Sequence, residues 1–348
     1  MTDLTRTRTL RTPGGLSVRY RPRTVLAVTA CLSTAIAVAV ATLGSGDYPL
    51  TPGEVLSALT GGGDPAADFV VNELRLPRVV TALLTGAALA LSGAVLQALV
   101  RNPLGSPDIL GLTQGATTGA LLVVATGGSS LALAGGAVAG GTAAGALIRA
   151  LARRGGTGGH RLVLVGIGVA AVLGGVNGYL LTRIQLMEAA RALLWLTGSL
   201  DGRGWDDALP LLAVLAVLLP VVLLACGPGL RMLELGDDTA LALGVPVERI
   251  RPALLACAVL LASVAAAAAG PVSFVALTAP QLARRLTRAP GPNLFVSTAM
   301  GAALLVAADL AAQHAFGQRQ LPVGVVTGVL GGGYLVWLLA AERRAGRL

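Results

Sequence analysis

The chain contains no lysine: all 26 of its basic residues are arginine. A phosphate-binding GxxxxGK[ST] loop needs its lysine, and Schiff-base chemistry needs a primary side-chain amine, so neither a P-loop ATPase nor a lysine-dependent covalent enzyme is open to it. Any ATP must be handled by a partner. Charge of either sign is scarce, at 12% of residues, and aromatics make up 3%. The three cysteines, Cys31, Cys226 and Cys257, sit in apolar runs without CxxC or His-linked spacing, which reads them as small packing residues. His160 and His314 fall in expected connections, far apart and without metal-ligand spacing, so they read as solvated. No cofactor or metal is expected on this chain. The short alternating strands of a β-barrel are missing as well.

What is abundant is apolar length. Of 348 residues, 54% are hydrophobic, and the mean hydropathy is +0.77, which points to an all-α polytopic membrane protein. The 47 glycines and many alanines suit helices packed closely through small residues, as a bilayer bundle requires. Runs of membrane length cover 24–43, 79–100, 109–125, 131–152, 162–182, 209–226, 252–270, 272–283, 294–312 and 322–341, about ten transmembrane helices. The run 272–283 is short and interrupted by Pro280; its alternative is a half-buried helix with altered topology after it. Residues 1–23 form an Arg-rich tail and 24–348 a single membrane domain. A signal peptide would have a shorter hydrophobic core and a less extended basic end, so the first helix is expected to be retained. Ten spans put both termini on one side, and 20 of the 26 arginines fall there, which makes that side cytoplasmic. The net charge of +9 is thus accounted for without nucleic acid.

Against this apolar background, residues 234–251 stand out. They carry Glu234, Asp237, Asp238, Glu248, Arg249 and Arg251, while 209–226 and 252–270 hold no charge. Helix formers at 238–243 follow an acidic start and are stopped by Gly244 and Pro246, so a short helix outside the bilayer is expected, a docking element by shape.

Other positions carry candidate roles. Gly86, Ala90, Gly93 and Gln97 share one face of the second run, which is either a close helix contact with Gln97 satisfied across it or a wall of a central pathway. Asn102-Pro103-Leu104-Gly105 then makes a stiff turn at the cytoplasmic mouth. Asp309 lies inside a run with no basic partner in another span, and reads as a hydrogen-bonded structural residue more readily than as a proton relay. In the outer loop 44–77, Thr51 can cap a short helix begun by Pro52. Arg75 and Arg78 are either snorkelling anchors or cationic contacts for acidic groups of a soluble partner.

These residues resemble the FecCD-type permeases of ABC importers for iron chelates and cobalamin. The resemblance rests on LRLPR at 74–78, GAALALSGAVLQALVRNPLGSPDILG at 86–111, GDDTALALGV at 236–245, GPVSFVALTAPQLARR at 270–285 and LPVGVVTGVLGG at 321–332, in family order. It implies a type II ABC importer permease fold working as a pair with a second permease, which is a second copy or a related chain. It further implies cytoplasmic ATPase subunits that use ATP and Mg, and an extracytoplasmic siderophore-binding protein, all in the bacterial cytoplasmic (inner) membrane. Within 227–251, it gives Glu234, Gly236, Asp237, Asp238, Thr239, Leu243 and Gly244 the role of coupling to the ATPase. Arg75 and Arg78 match positions that meet the binding protein; a third outer arginine of the family falls here at Gln313, with Arg319 the nearest substitute. Asn102 and Leu104 match one side of a cytoplasmic gate, and the second gate element appears as Gly159 and His160; Gln97 is counted with the gate and pathway from its place on the small-residue face. RALLWLTGSLDGRGW at 191–205 looks more like ferric-siderophore members, catecholate-type above all, than cobalamin members. Cobalamin or haem uptake is the alternative within the family. An ion-coupled secondary transporter is the alternative outside it, separated by whether an ATPase copurifies.

Overall fold

The computed structural model describes residues 8–11, 17–153, 159–315 and 320–344. Part of the Arg-rich tail forms an antiparallel hairpin, β1 (Arg8–Arg11) paired with β2 (Ser17–Tyr20). Helices follow: α1 (Pro22–Gly44), α2 (Pro52–Leu59), α3 (Pro65–Phe69), α4 (Leu76–Val100), α5 (Leu112–Ala125), α6 (Ser130–Arg153), α7 (Gly159–Arg183) and α8 (Leu186–Leu196). Beyond these come α9 (Trp205–Pro220), α10 (Gly227–Leu233), α11 (Asp237–Ala242), α12 (Val247–Ala269), α13 (Val275–Thr287), α14 (Leu294–His314) and α15 (Val323–Arg344). Short π-helical segments, Val70–Arg75 and Val221–Cys226, fuse α3 to α4 and α9 to α10.

The ten expected runs each correspond to a helix of the bundle. Among the described residues, seven helical stretches are long and apolar enough to cross a membrane, and Leu112–Ala125 and Val323–Trp337 are apolar but shorter. The remaining one, α13, has only 13 residues, about 20 Å of rise. The non-helical residues 270–274 precede it. Phe274, at φ 68°, turns that segment into the helix.

Three helices form the centre. In α4, α12 and α14, 83%, 78% and 56% of the apolar window is buried, against 22% in α1 and 17% in α7. Lipid tails are as apolar as leucine, so the centre is selected by closeness of approach and not by hydrophobicity. Accordingly, Gly86 faces the Gly301 carbonyl and Gly93 the Ala276 carbonyl, so closely that a Cβ at either would collide. The face running from Gly86 to Gln97, open to two readings above, makes a close helix contact in this structure. Gly115 and Gly119 of α5 meet Gly140 and Gly136 of α6 in the same way. The outer helices expose Leu26, Ile36, Leu164, Val172, Leu212 and Leu224, a surface for lipid or another subunit.

The two ends of the bundle are sorted as ten spans require. Arg23 Nε donates to the Leu286 carbonyl at 2.7 Å, Gly159 abuts the Val100 backbone, and Arg101 reaches Asp237, so these segments share one end. Arg78, Asp201, Asp309 and Gln320 meet at the other, where Arg75 binds the Leu43 carbonyl at the end of α1.

Candidate functional site

The charged island folds as a loop carrying one short helix. Glu234 and Leu235 end α10, Gly236 turns the chain at φ 112°, and α11 follows, one residue earlier than its spacing predicts. Ala240 is fully buried, while Leu235, Leu241 and Leu243 are 64%, 54% and 60% exposed. Asp238, Thr239 and Gly244 are exposed beside them. A tip with apolar residues next to a carboxylate is what a protein partner can cover.

Asp237 faces the other way. Its two carboxylate oxygens accept from Arg251 Nη1 and Nη2, each at 2.8 Å, a bidentate clasp onto α12. The same carboxylate lies 3.7 Å from Arg101 Nη2. Of the three acids expected to meet a partner, Glu234, Asp237 and Asp238, Asp237 is bound to the protein's own arginines. Glu234 is half-buried, and that burial pushes its carboxyl above the ordinary 4.5, with Arg284 and Arg231 opposing the rise.

Arg101 ends α4 and starts the stiff turn. The amides of Arg101 and Asn102 donate back to the carbonyls of Ala98 and Gln97, a Schellman-type ending with Arg101 at φ 53° where glycine is usual. Asn102 Oδ1 accepts from the Leu104 amide at 2.9 Å, and the Gly105 amide donates to the Asn102 carbonyl at 3.0 Å. The turn is self-bonded, with Leu104 47% exposed at its tip. Gly159 is brought against its base, at Val100; His160 next to it is exposed. Both histidines expected in connections are helical instead, His160 second in α7 and His314 last in α14. Gln97 is 1% exposed, donates to the Leu277 carbonyl at 3.0 Å and accepts from Gln281 Nε2 at 2.7 Å. It braces the turn from behind. Gln281 is the residue that sequence reasoning passes over, although an amide in the apolar run 272–283 is a signal of the same kind as Gln97.

At the opposite end, the sequence reading leaves Asp309 without a basic partner, and the structure supplies one. Arg78 Nε and Nη2 donate to Asp309 Oδ2 and Oδ1 at 3.2 and 3.0 Å, with the two side chains 14% and 1% exposed. Gln313 donates to Asp309 Oδ2 at 2.7 Å, and Arg78 Nη1 reaches Gln320 Oε1 at 3.0 Å and Asp201 Oδ1 at 3.5 Å. The pair was missed because Arg78 counts as a loop cation by sequence, yet it occupies the first turn of α4. Arg75 donates to the Leu43 and Tyr48 carbonyls, both at 2.7 Å, tying down residues 43–48. Both arginines are thus bound within the chain, and neither is a plain snorkelling anchor. Arg319 lies outside the described residues.

Comparison with known proteins places these features in a context. Residues 25–341 match the FecCD transport family. The ferric enterobactin transport system permease protein FepG of Escherichia coli (strain K12) is 46% identical over 303 residues, 87% of this chain and 92% of that one. The achromobactin transport system permease protein CbrC of Dickeya dadantii (strain 3937) is 40% identical over 338 residues, 95% of each chain. Among solved structures, a metal-chelate type ABC transporter in an inward-facing conformation superposes with a TM-score of 0.79 at 27% identity, covering 90% of this chain and 98% of that one.

Proposed function

The chain belongs to the FecCD transport family, and from that premise we propose that it carries a ferric siderophore, of the catecholate type, across the cytoplasmic membrane as the permease subunit of an ATP-driven importer. It is a membrane transport subunit and not an enzyme. The observation that carries the substrate reading is the 46% identity to a ferric enterobactin permease across nearly the whole of both chains.

In this reading the arginine-rich end lies in the cytoplasm. There a separate ATPase, which binds ATP and Mg, takes the tip formed by Leu235, Asp238, Thr239, Leu241, Leu243 and Gly244. Closure of the ATPase pair displaces α11 and switches the permease between two states, in one of which the turn at Asn102 and Leu104, facing Gly159 and His160, is open. A second permease, a copy or a related chain, covers part of the exposed apolar flank. At the other end an extracytoplasmic binding protein delivers the chelate to the face that bears Arg75 and Arg78, its acidic groups adding to the Asp201 cluster; Arg319 is proposed to belong to the same face.

The test is uptake in a strain deleted for this chain. Labelled ferric catecholates are expected to accumulate only when the chain is restored, and an ATPase is expected to copurify with it. Restored uptake of cobalamin or haem instead overturns the substrate, and transport without any associated ATPase overturns the importer.

A further inference from the structure

The turn at 101–105 is held from two directions, through Gln281 and through Arg101, two residues to which the family resemblance gives no role. From α13, Gln281 Nε2 donates to Gln97 Oε1 at 2.7 Å and to the Pro103 carbonyl at 3.2 Å. This one amide therefore ties the turn to its own helix and to α13 at once. From the 234–251 loop, Asp237 holds Arg101 at 3.7 Å, and the Arg101 guanidinium occupies the space beside Gly236 that a side chain there would enter. Asp237 is in turn fixed to α12 by its clasp on Arg251.

The two attachments differ in kind. The one at Gln281 consists of neutral hydrogen bonds, beside Gln97 at 1% exposure, which break cleanly and re-form. The one at Arg101 is an ion pair with Arg101 41% and Asp237 18% exposed, attractive over a range of distances and tolerant of sliding. Because the turn is bonded within itself at Asn102, Leu104 and Gly105, a pull on Arg101 moves it as a unit. We propose that Gln281 is the latch that keeps this turn shut and that the Arg101–Asp237 pair is the handle through which α11 pulls it. Both are positioning residues, since they act through the turn and touch no cargo. The proposal deepens the importer reading and rests on it only for the source of the pull; the latch itself is a property of this chain.

A cysteine reporter tests it. Cys31, Cys226 and Cys257 are buried, so Ser106→Cys, at a site 1% exposed directly behind the turn, reports opening by its labelling rate with a membrane-impermeant maleimide. In the purified complex without ATP, Gln281→Met keeps the volume and removes both donated bonds, and labelling should rise roughly tenfold, the worth of about one net hydrogen bond. Gln97→Met should raise it less, and the double variant should label no faster than Gln281→Met alone, because the two residues share one latch. Equal labelling of Gln281→Met and the parent overturns the latch, as does simple additivity in the double variant, the behaviour of two unrelated packing defects. If Gln281→Met does not fold, Gln97→Met against the parent decides the same question.

With ATP, labelling of the parent should change and Arg101→Ala should abolish that change while lowering the substrate moved per ATP hydrolysed; Arg101→Lys should restore it. An unaltered ATP response in Arg101→Ala overturns the handle. Absence of any ATP response in the parent, together with no copurifying ATPase, would instead remove the importer reading, and the ATP-free comparison would still judge the latch.

Discussion

Replacing Asp309 with asparagine removes the anion facing Arg78 and leaves the side-chain size unchanged. The carboxylate is 1% exposed and its guanidinium partner 14%, so the variant strands a cation that is mostly out of water. Breaking a buried pair from one side costs about 3–5 kcal/mol. Arg78 keeps Gln320 at 3.0 Å, and Asp201 at 3.5 Å is 76% exposed, which places the expected loss near the lower bound, about 3 kcal/mol or roughly two decades in the unfolding equilibrium. The asparagine oxygen can still accept from Gln313, which donates to Asp309 Oδ2 at 2.7 Å, so the loss falls on the Arg78 side. The measurement is reversible unfolding of the purified chain from bicelles by SDS, read by the intrinsic fluorescence of its tryptophans. Arg78→Met with Asp309→Leu, an apolar pair of similar volume, should recover most of the loss, because neither charge is then left behind. An unfolding free energy for Asp309→Asn within about 0.5 kcal/mol of the parent, the spread of an ordinary surface substitution, would falsify the clasp. A double variant worse than either single would equally show that Arg78 and Asp309 contribute separately.

Leu241→Ser with Leu243→Ser, at the exposed tip of the 234–251 loop, should lower the yield of copurified ATPase severalfold with little change in the permease's own unfolding. Asp237→Asn should instead weaken the permease itself, through Arg251. Gly93→Val drives a side chain into the Ala276 carbonyl; it should cost about 1–3 kcal/mol or more and reduce the monodisperse fraction on gel filtration, and wild-type behaviour would mean that α4 and α13 are not in backbone contact. In the outer loop, the Thr51 backbone amide and hydroxyl hold the Glu54 carboxyl below its ordinary 4.5. The capping box that closes α2 is then fully stabilising above that value and weakens as pH falls through the lowered one. The protection of the amides of residues 53–59, taken relative to their intrinsic exchange rate at each pH, should fall over that window in the parent, and Glu54→Gln, which caps without ionising, should show no such change in protection.

Much of this architecture is legible from residue order. Apolar runs bounded by arginines mark the helices because a backbone in hydrocarbon must satisfy its own hydrogen bonds. Thr51, Pro52 and Glu54 announce α2 because a capping box is local chemistry. The half-length of α13 was visible in Pro280 and the short run around it, and ten spans were expected from the arginine count, whereas the path of residues 270–274 was not legible.

What the sequence by itself determined was the class of molecule, a helical membrane permease of about ten spans that is not an enzyme, and with it came the expectations of a sidedness and of a docking loop. These follow from local composition: the missing lysine, the length of the apolar runs and the uneven arginines. Only the tertiary structure decided which polar side chains are partners. Arg78 and Asp309 are 231 positions apart, Gln97 and Gln281 are 184 apart, and Asp237 turned out to face Arg251 and Arg101 where a partner had been expected. In a bundle whose helices are uniformly apolar, the choice of neighbours rests on where glycines allow two backbones to touch, and that choice sets which buried charges and amides meet.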